Sequence, residues 1–215
     1  MTERYVWLGL FLLGCYHGLN PAMGWLFAVA LGMQERSTAA VLRAIVPIAL
    51  GHVVSVAMVV ALAVLAAAAF PHRVVHIAAA AILLSFGAYR LIRLRHPRWV
   101  GMRVGFWGLA LWGFIMASAH GAGLMLVPFV TAAPHGAQTM TAMPMPATHP
   151  VHQLWLVFGA LVVGIHTLGY VLTTAAIAIV VYAKLGVSFL RQAWFNVDLL
   201  WGAALMAAGI ITLVT

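Results

Sequence analysis

Long apolar runs separated by short polar or charged breaks dominate this chain. Runs bounded by charge or proline fall at 5–33, 41–69, 74–94, 104–131, 153–182 and 194–214. Each run reaches the ~20 residues that a helix needs to cross a ~30 Å hydrocarbon core, so the pattern predicts six transmembrane helices. Several exceed about 25 residues and must tilt, break or protrude. Pro21, Pro47 and Pro128 sit inside or near the ends of these runs, where a missing N–H interrupts helix hydrogen bonding. Gly14 and Gly18 are four apart, a spacing that lets two helix backbones approach closely. The first run is too long for the apolar region of a cleavable signal peptide.

Composition sharpens this picture. Of 215 residues, 65% are apolar and 7% charged, with a mean hydropathy of +1.08; a soluble domain carries about 25% charged residues. The expected class is an all-α integral membrane protein whose principal partner is the lipid bilayer. The net charge of +8 would in a soluble chain point to nucleic acid. Here arginine reports loop orientation. Arg36, Arg43, Arg90, Arg93, Arg95, Arg98, Arg103, Lys184 and Arg191 flank the odd-numbered connections, against Arg4 and Arg73 on the other side. That bias places the odd connections in the cytoplasm and both termini outside a bacterial-type inner or plasma membrane. A single cysteine, Cys15, rules out a disulfide framework. No phosphate loop, Ser/His/Asp set or carboxylate pair is present, so neither an enzyme nor a resident cofactor is expected.

The two halves resemble each other. Gly14–Gly18 (GCYHG) aligns with Ser118–Gly121 (SAHG), pairing His17 with His120, and Leu50-Gly51-His52 aligns with Gly164-Ile165-His166. Matching Gly87 to Gly209 also pairs His76 with Asp198. Three spans per half is odd, so residues 1–97 and 98–215 would form inverted repeats, an arrangement that puts substrate sites near the bilayer midplane.

His17, His52, His120 and His166 all fall well inside their runs. An ionisable group at that depth is costly and marks a functional site by default, and neutral imidazole is a common transition-metal ligand. Helical spacing puts Asn20 and Met23 on the face of His17, Ser55 one turn from His52, and Tyr170 one turn from His166. Asn20 joins the four histidines as a candidate ligand. On the outer side, residues 132–152 carry His135, Met140, Met143, Met145, His149 and His152 with no Lys, Arg, Asp or Glu, a candidate capture segment for a soft cation. Asp198 and His76 are candidates for proton coupling.

The stretch Gly14–Trp25, GCYHGLNPAMGW, together with Leu50-Gly51-His52 and Ser85-Phe86-Gly87-Ala88-Tyr89-Arg90, resembles the signatures of the NicO-type nickel/cobalt transporter family within the lysine-exporter-like superfamily. The resemblance implies membrane transport and carries His17 and His52 over as ligands. The family's Asp is replaced by Asn20 and its second His by Met23. Thioether favours softer ions such as copper, although a membrane Met also serves as apolar filler. The expected function is a secondary transporter or permease for a transition-metal ion (nickel, cobalt or a softer ion) working by alternating access. The readings left beside it are an exporter of a small organic or anionic solute, a non-transporting subunit or assembly factor of a metalloenzyme, and a haem-binding protein. A second copy of the chain and a metalloenzyme are the protein partners left open.

Overall fold

The computed structural model describes residues 3–92, 105–131, 151–185 and 197–214. All of its regular structure among these residues is helical: α1 (Glu3–Leu19), a 3₁₀ turn (Pro21–Met23), α2 (Trp25–Glu35), α3 (Thr38–Ala69), α4 (His72–Ile92), α5 (Phe106–Ala119), a second 3₁₀ turn (Leu124–Leu126), α6 (Val127–Thr131), α7 (Val151–Val180) closed by a π turn (Val181–Leu185), and α8 (Val197–Val214). Each apolar run of the sequence thus coincides with one helix or with a broken pair. Two stretches, Thr38–Ala67 and Leu156–Lys184, are long and apolar enough to cross a membrane, and the bent pair Phe106–Ala119 and Leu124–Val130, at 51°, makes a third if taken as one span. The apolar parts of α4 and α8 are shorter, Arg73–Tyr89 and Gly202–Leu213. Pro47 lies inside α3 without ending it.

The helices associate in pairs: α1 along α7, α3 along α5 and α4 along α8, with α3 also packed on α7. Glycine sets the spacing. A Cβ at Gly14 would run into the carbonyl oxygen of His166, one at Gly18 would lie 2.7 Å from that of Tyr170, and one at Gly169 would overlap the carbonyl of Phe11. On the other pair, Gly51 meets the Ala110 carbonyl and Gly113 the Ile48 carbonyl. Backbone therefore rests on backbone, the close approach that small residues allow between helices. The faces turned away are apolar: Leu42, Val46, Leu50, Val54, Met58, Leu62 and Leu65 form an exposed stripe on α3, a surface suited to acyl chains and not to water.

The first run is not one helix. Pro21 disfavours helical geometry at the residue before it, and Asn20 adopts an extended conformation (φ −69°, ψ 120°) while its side chain accepts a hydrogen bond from Ala22 N–H at 2.9 Å. Gly24, at φ +121°, restarts the chain as α2. This corrects the expected shared helical face of His17, Asn20 and Met23, since the helix has ended before Asn20. Carbonyls freed by such a break need donors, because a buried apolar surrounding provides none. Trp25 Nε1 donates to Leu19 (3.2 Å), Trp112 Nε1 to Ala22 (3.1 Å) and the Tyr170 hydroxyl to Met23 (2.7 Å). The backbone N–H groups of Asn20, Met23 and Gly24 serve the carbonyls of His17, Asn20 and Pro21.

A second break follows α5. Gly121, at φ +68°, donates to Ser118 (3.1 Å), and Ala122 donates to Ala117 (2.9 Å), the paired bonds of a Schellman ending with glycine at the left-handed position. His120 is the last residue before it.

Gly14→Ala should lower stability by about 1–3 kcal/mol, because its methyl has no room without separating two backbones. Gly164→Ala, with nothing within 4 Å of the added carbon, should be neutral or gain up to about 1 kcal/mol. Thermal unfolding midpoints in detergent check both; equal midpoints would refute the close packing. By the same measurement Trp112→Phe, which keeps an aromatic side chain but removes the indole N–H and strands the Ala22 carbonyl, should cost about 1–3 kcal/mol.

Candidate functional site

Four helices deliver the deep histidines to one interior. His17 stands near the end of α1, His52 in α3, His120 at the close of α5 and His166 in α7, and all four are 0% exposed. Ring centroids are 4.8 Å apart for His17 and His166, 5.5 Å for His52 and His166, and 5.9 Å for His17 and His52. Three imidazoles from three helices are therefore in mutual contact. His120 lies beside them, within electrostatic range of His17.

Hydrogen bonding defines how two of the rings are presented. His17 Nδ1 is 3.0 Å from the Leu13 carbonyl, and His120 Nδ1 is 2.8 Å from the Met116 carbonyl, each four residues back. A carbonyl only accepts, so Nδ1 carries the proton, and in the neutral ring Nε2 holds the lone pair. His52 differs: neither of its ring nitrogens has a hydrogen-bond partner. The carbonyl of Leu10 lies beside His166, but neither of that ring's nitrogens reaches full hydrogen-bond geometry with a partner. Burying polar nitrogens without partners is costly unless something else satisfies them. As the rings stand, no group of three or more His, Cys, Asp or Glu among the described residues is arranged to hold a metal ion.

Tyr170 is the residue that ties this cluster to the helix break. Its ring stacks on His52 with centroids 3.9 Å apart and planes 8° from parallel, and its hydroxyl donates to the Met23 carbonyl. The one-turn spacing from His166 singled Tyr170 out, but its partner is His52 on another helix, which spacing along one chain does not reveal. Ser55 likewise bonds across helices, with Ser118 (2.8 Å), rather than to an imidazole. Asn20 is 2% exposed; its side-chain oxygen caps the 3₁₀ turn, while its amide nitrogen has no hydrogen-bond partner.

Of the other candidates, His76 and Asp198 stand on a different helix pair. Helices α4 and α8 run antiparallel, with Gly87 against Met206 and Gly209 against Leu83 and Leu84. At 1.5 Å per residue, that register sets His76 and Asp198 about 28 Å apart along the pair, so they do not form one relay. The side chain of Asp198 lies outside the described residues, as do His135, Met140, Met143, Met145 and His149; His152 falls in the first turn of α7 with its side chain undescribed. The chain was compared with protein-family models, curated proteins and solved structures, and nothing in any of the three matches it.

Proposed function

We propose that the chain is a secondary transporter for a transition-metal ion, built as six membrane spans in two inverted three-helix repeats, with both termini outside a bacterial-type inner or plasma membrane. One observation carries this reading: three fully buried imidazoles from three different helices touch one another, and one of them, His52, has both ring nitrogens without a hydrogen-bond partner. A metal ion is a partner that would satisfy such nitrogens, and an ion entering hydrocarbon needs fixed ligands in place of its hydration shell.

The packing supports the inverted repeat. Exchanging the halves turns the α1–α7 pair into the α5–α3 pair, each seated on glycines, and returns the α4–α8 pair to itself. His17 and His120 make the same bond to the fourth preceding carbonyl, and each precedes a break that contains a positive-φ glycine, Gly24 or Gly121. Asn20 would sit beside the ion path, and the segment 132–152 would capture or release cargo outside. Protonating an imidazole removes its lone pair, so proton entry would expel the metal and proton antiport would drive export.

Metal affinity of the purified chain should fall as pH is lowered through the imidazole range, because only the neutral ring coordinates. His17→Ala and His52→Ala should each abolish metal-dependent growth or resistance in cells, whereas His72→Ala should leave it intact. Normal transport by the His17 variant would displace the metal reading in favour of an organic-solute exporter. For topology, a cysteine introduced at Met143 should react with an impermeant thiol reagent from outside, and one at Arg98 should not; the opposite labelling would reverse the orientation.

A further inference from the structure

Two consecutive carbonyls of the first break are held from different helix pairs. Ala22 receives Trp112 of α5, which packs along α3, and Met23 receives Tyr170 of α7, which packs along α1. Tyr170 is 0% exposed and also touches α3, since its ring lies on His52. The base of this side chain is fixed. A Cβ at Gly14 would lie 3.0 Å from the Tyr170 nitrogen and one at Gly18 would lie 2.7 Å from its carbonyl oxygen, so α1 is seated directly on the Tyr170 backbone. What remains to Tyr170 is movement of the side chain itself. Its hydroxyl lies on the ring axis, so a swing about the Cα–Cβ bond is needed to displace it from Met23, 2.7 Å away. The same swing takes the ring off His52, on which it now lies at 3.9 Å and 8° from parallel. One side-chain orientation thus serves both contacts.

The matching place in the other half has no such residue. The alignment of Leu50-Gly51-His52 with Gly164-Ile165-His166 sets Val56 opposite Tyr170. Val56 is equally buried but carries neither a flat face nor a donor. The second break, which follows His120, is closed by backbone bonds from Gly121 to Ser118, Ala122 to Ala117 and Leu126 to Gly123, and Gly123 rests on the apolar side chain of Val59. The bridge through residue 170 is therefore a property of the first break and not of the repeat.

Resting on the transport reading, we propose that Tyr170 is a latch between the histidine centre and the first break: residues 20–24 stay closed while His52 lies on the Tyr170 ring, and movement of His52 out of the stack releases them. Rearrangement of the imidazoles and opening of the chain beside them are then one event. The test is hydrogen–deuterium exchange of the full chain in detergent with no metal added, read by mass spectrometry on peptides covering residues 20–28. The N–H groups of Asn20, Ala22, Met23 and Gly24 are all bonded within the break, so their exchange reports its local opening. Tyr170→Phe keeps the stack and removes the hydroxyl; it should speed exchange there by about 10–100-fold and leave α5 within about twofold of wild type. His52→Leu, which fills the space without a flat ring, should speed it by about 3–10-fold, whereas His52→Phe, which restores a flat ring, should stay within about twofold of wild type. Unchanged exchange at 20–28 in either Tyr170→Phe or His52→Leu would overturn the latch. So would a rise shared equally by α5, or one that His52→Phe fails to suppress. Should one variant fail to fold, the remaining comparison decides. No metal enters this measurement, so a wild-type chain that carries no metal would overturn the transport reading and leave the latch standing, and the reverse result would do the opposite.

Discussion

Every backbone polar group buried in an apolar surrounding needs a partner, and this one requirement organises the molecule around residues 20–24. A helix meets it internally; a break does not. Here the break is closed by three side-chain donors, Trp25 from just beyond it, Trp112 from α5 and Tyr170 from α7. Two of these cross to other helices, so the interruption of α1 fixes where α5 and α7 must lie. The histidine cluster sits at that junction: the tyrosine that completes the hydrogen bonding of Met23 is the ring on which His52 rests.

The close helix pairs and the break serve complementary ends. Glycine-mediated contact brings α1 near enough to α7 for His17 and His166 to touch, and brings α3 near α5 in the same manner. Without the glycines the rings would stand further apart, because a methyl placed at Gly14 or Gly51 occupies the space now taken by a neighbouring carbonyl. Small residues with no chemistry of their own thereby set the distances within the polar centre.

Much of this was legible from one sequence. The apolar runs located the helices because the period and length of hydrophobicity are local properties, and Gly14 and Gly18 announced a close contact through their spacing alone. The places of His17, His52, His120 and His166 well inside the runs are read by counting, and all four are buried. The identity of neighbours did not. That Tyr170 belongs to His52, that Ser55 bonds Ser118, and that Trp112 serves Ala22 across ninety residues depend on how helices rotate and stack, which no linear pattern encodes. Asn20 shows the converse: helical spacing does not carry past Pro21, so the residue leaves the face of His17 and caps a turn.

The interlocked pairs also determine which parts can slide. A helix whose glycines straddle a neighbour's carbonyls cannot slip or roll along it without forcing atoms through one another, so α1 with α7, and α3 with α5, behave as two planks. His17 and His166 belong to one plank; His52 and His120 belong to the other. The seam between the planks is therefore lined on both sides by imidazole. Any displacement of one plank against the other would leave the His17–His166 distance fixed and change both distances to His52.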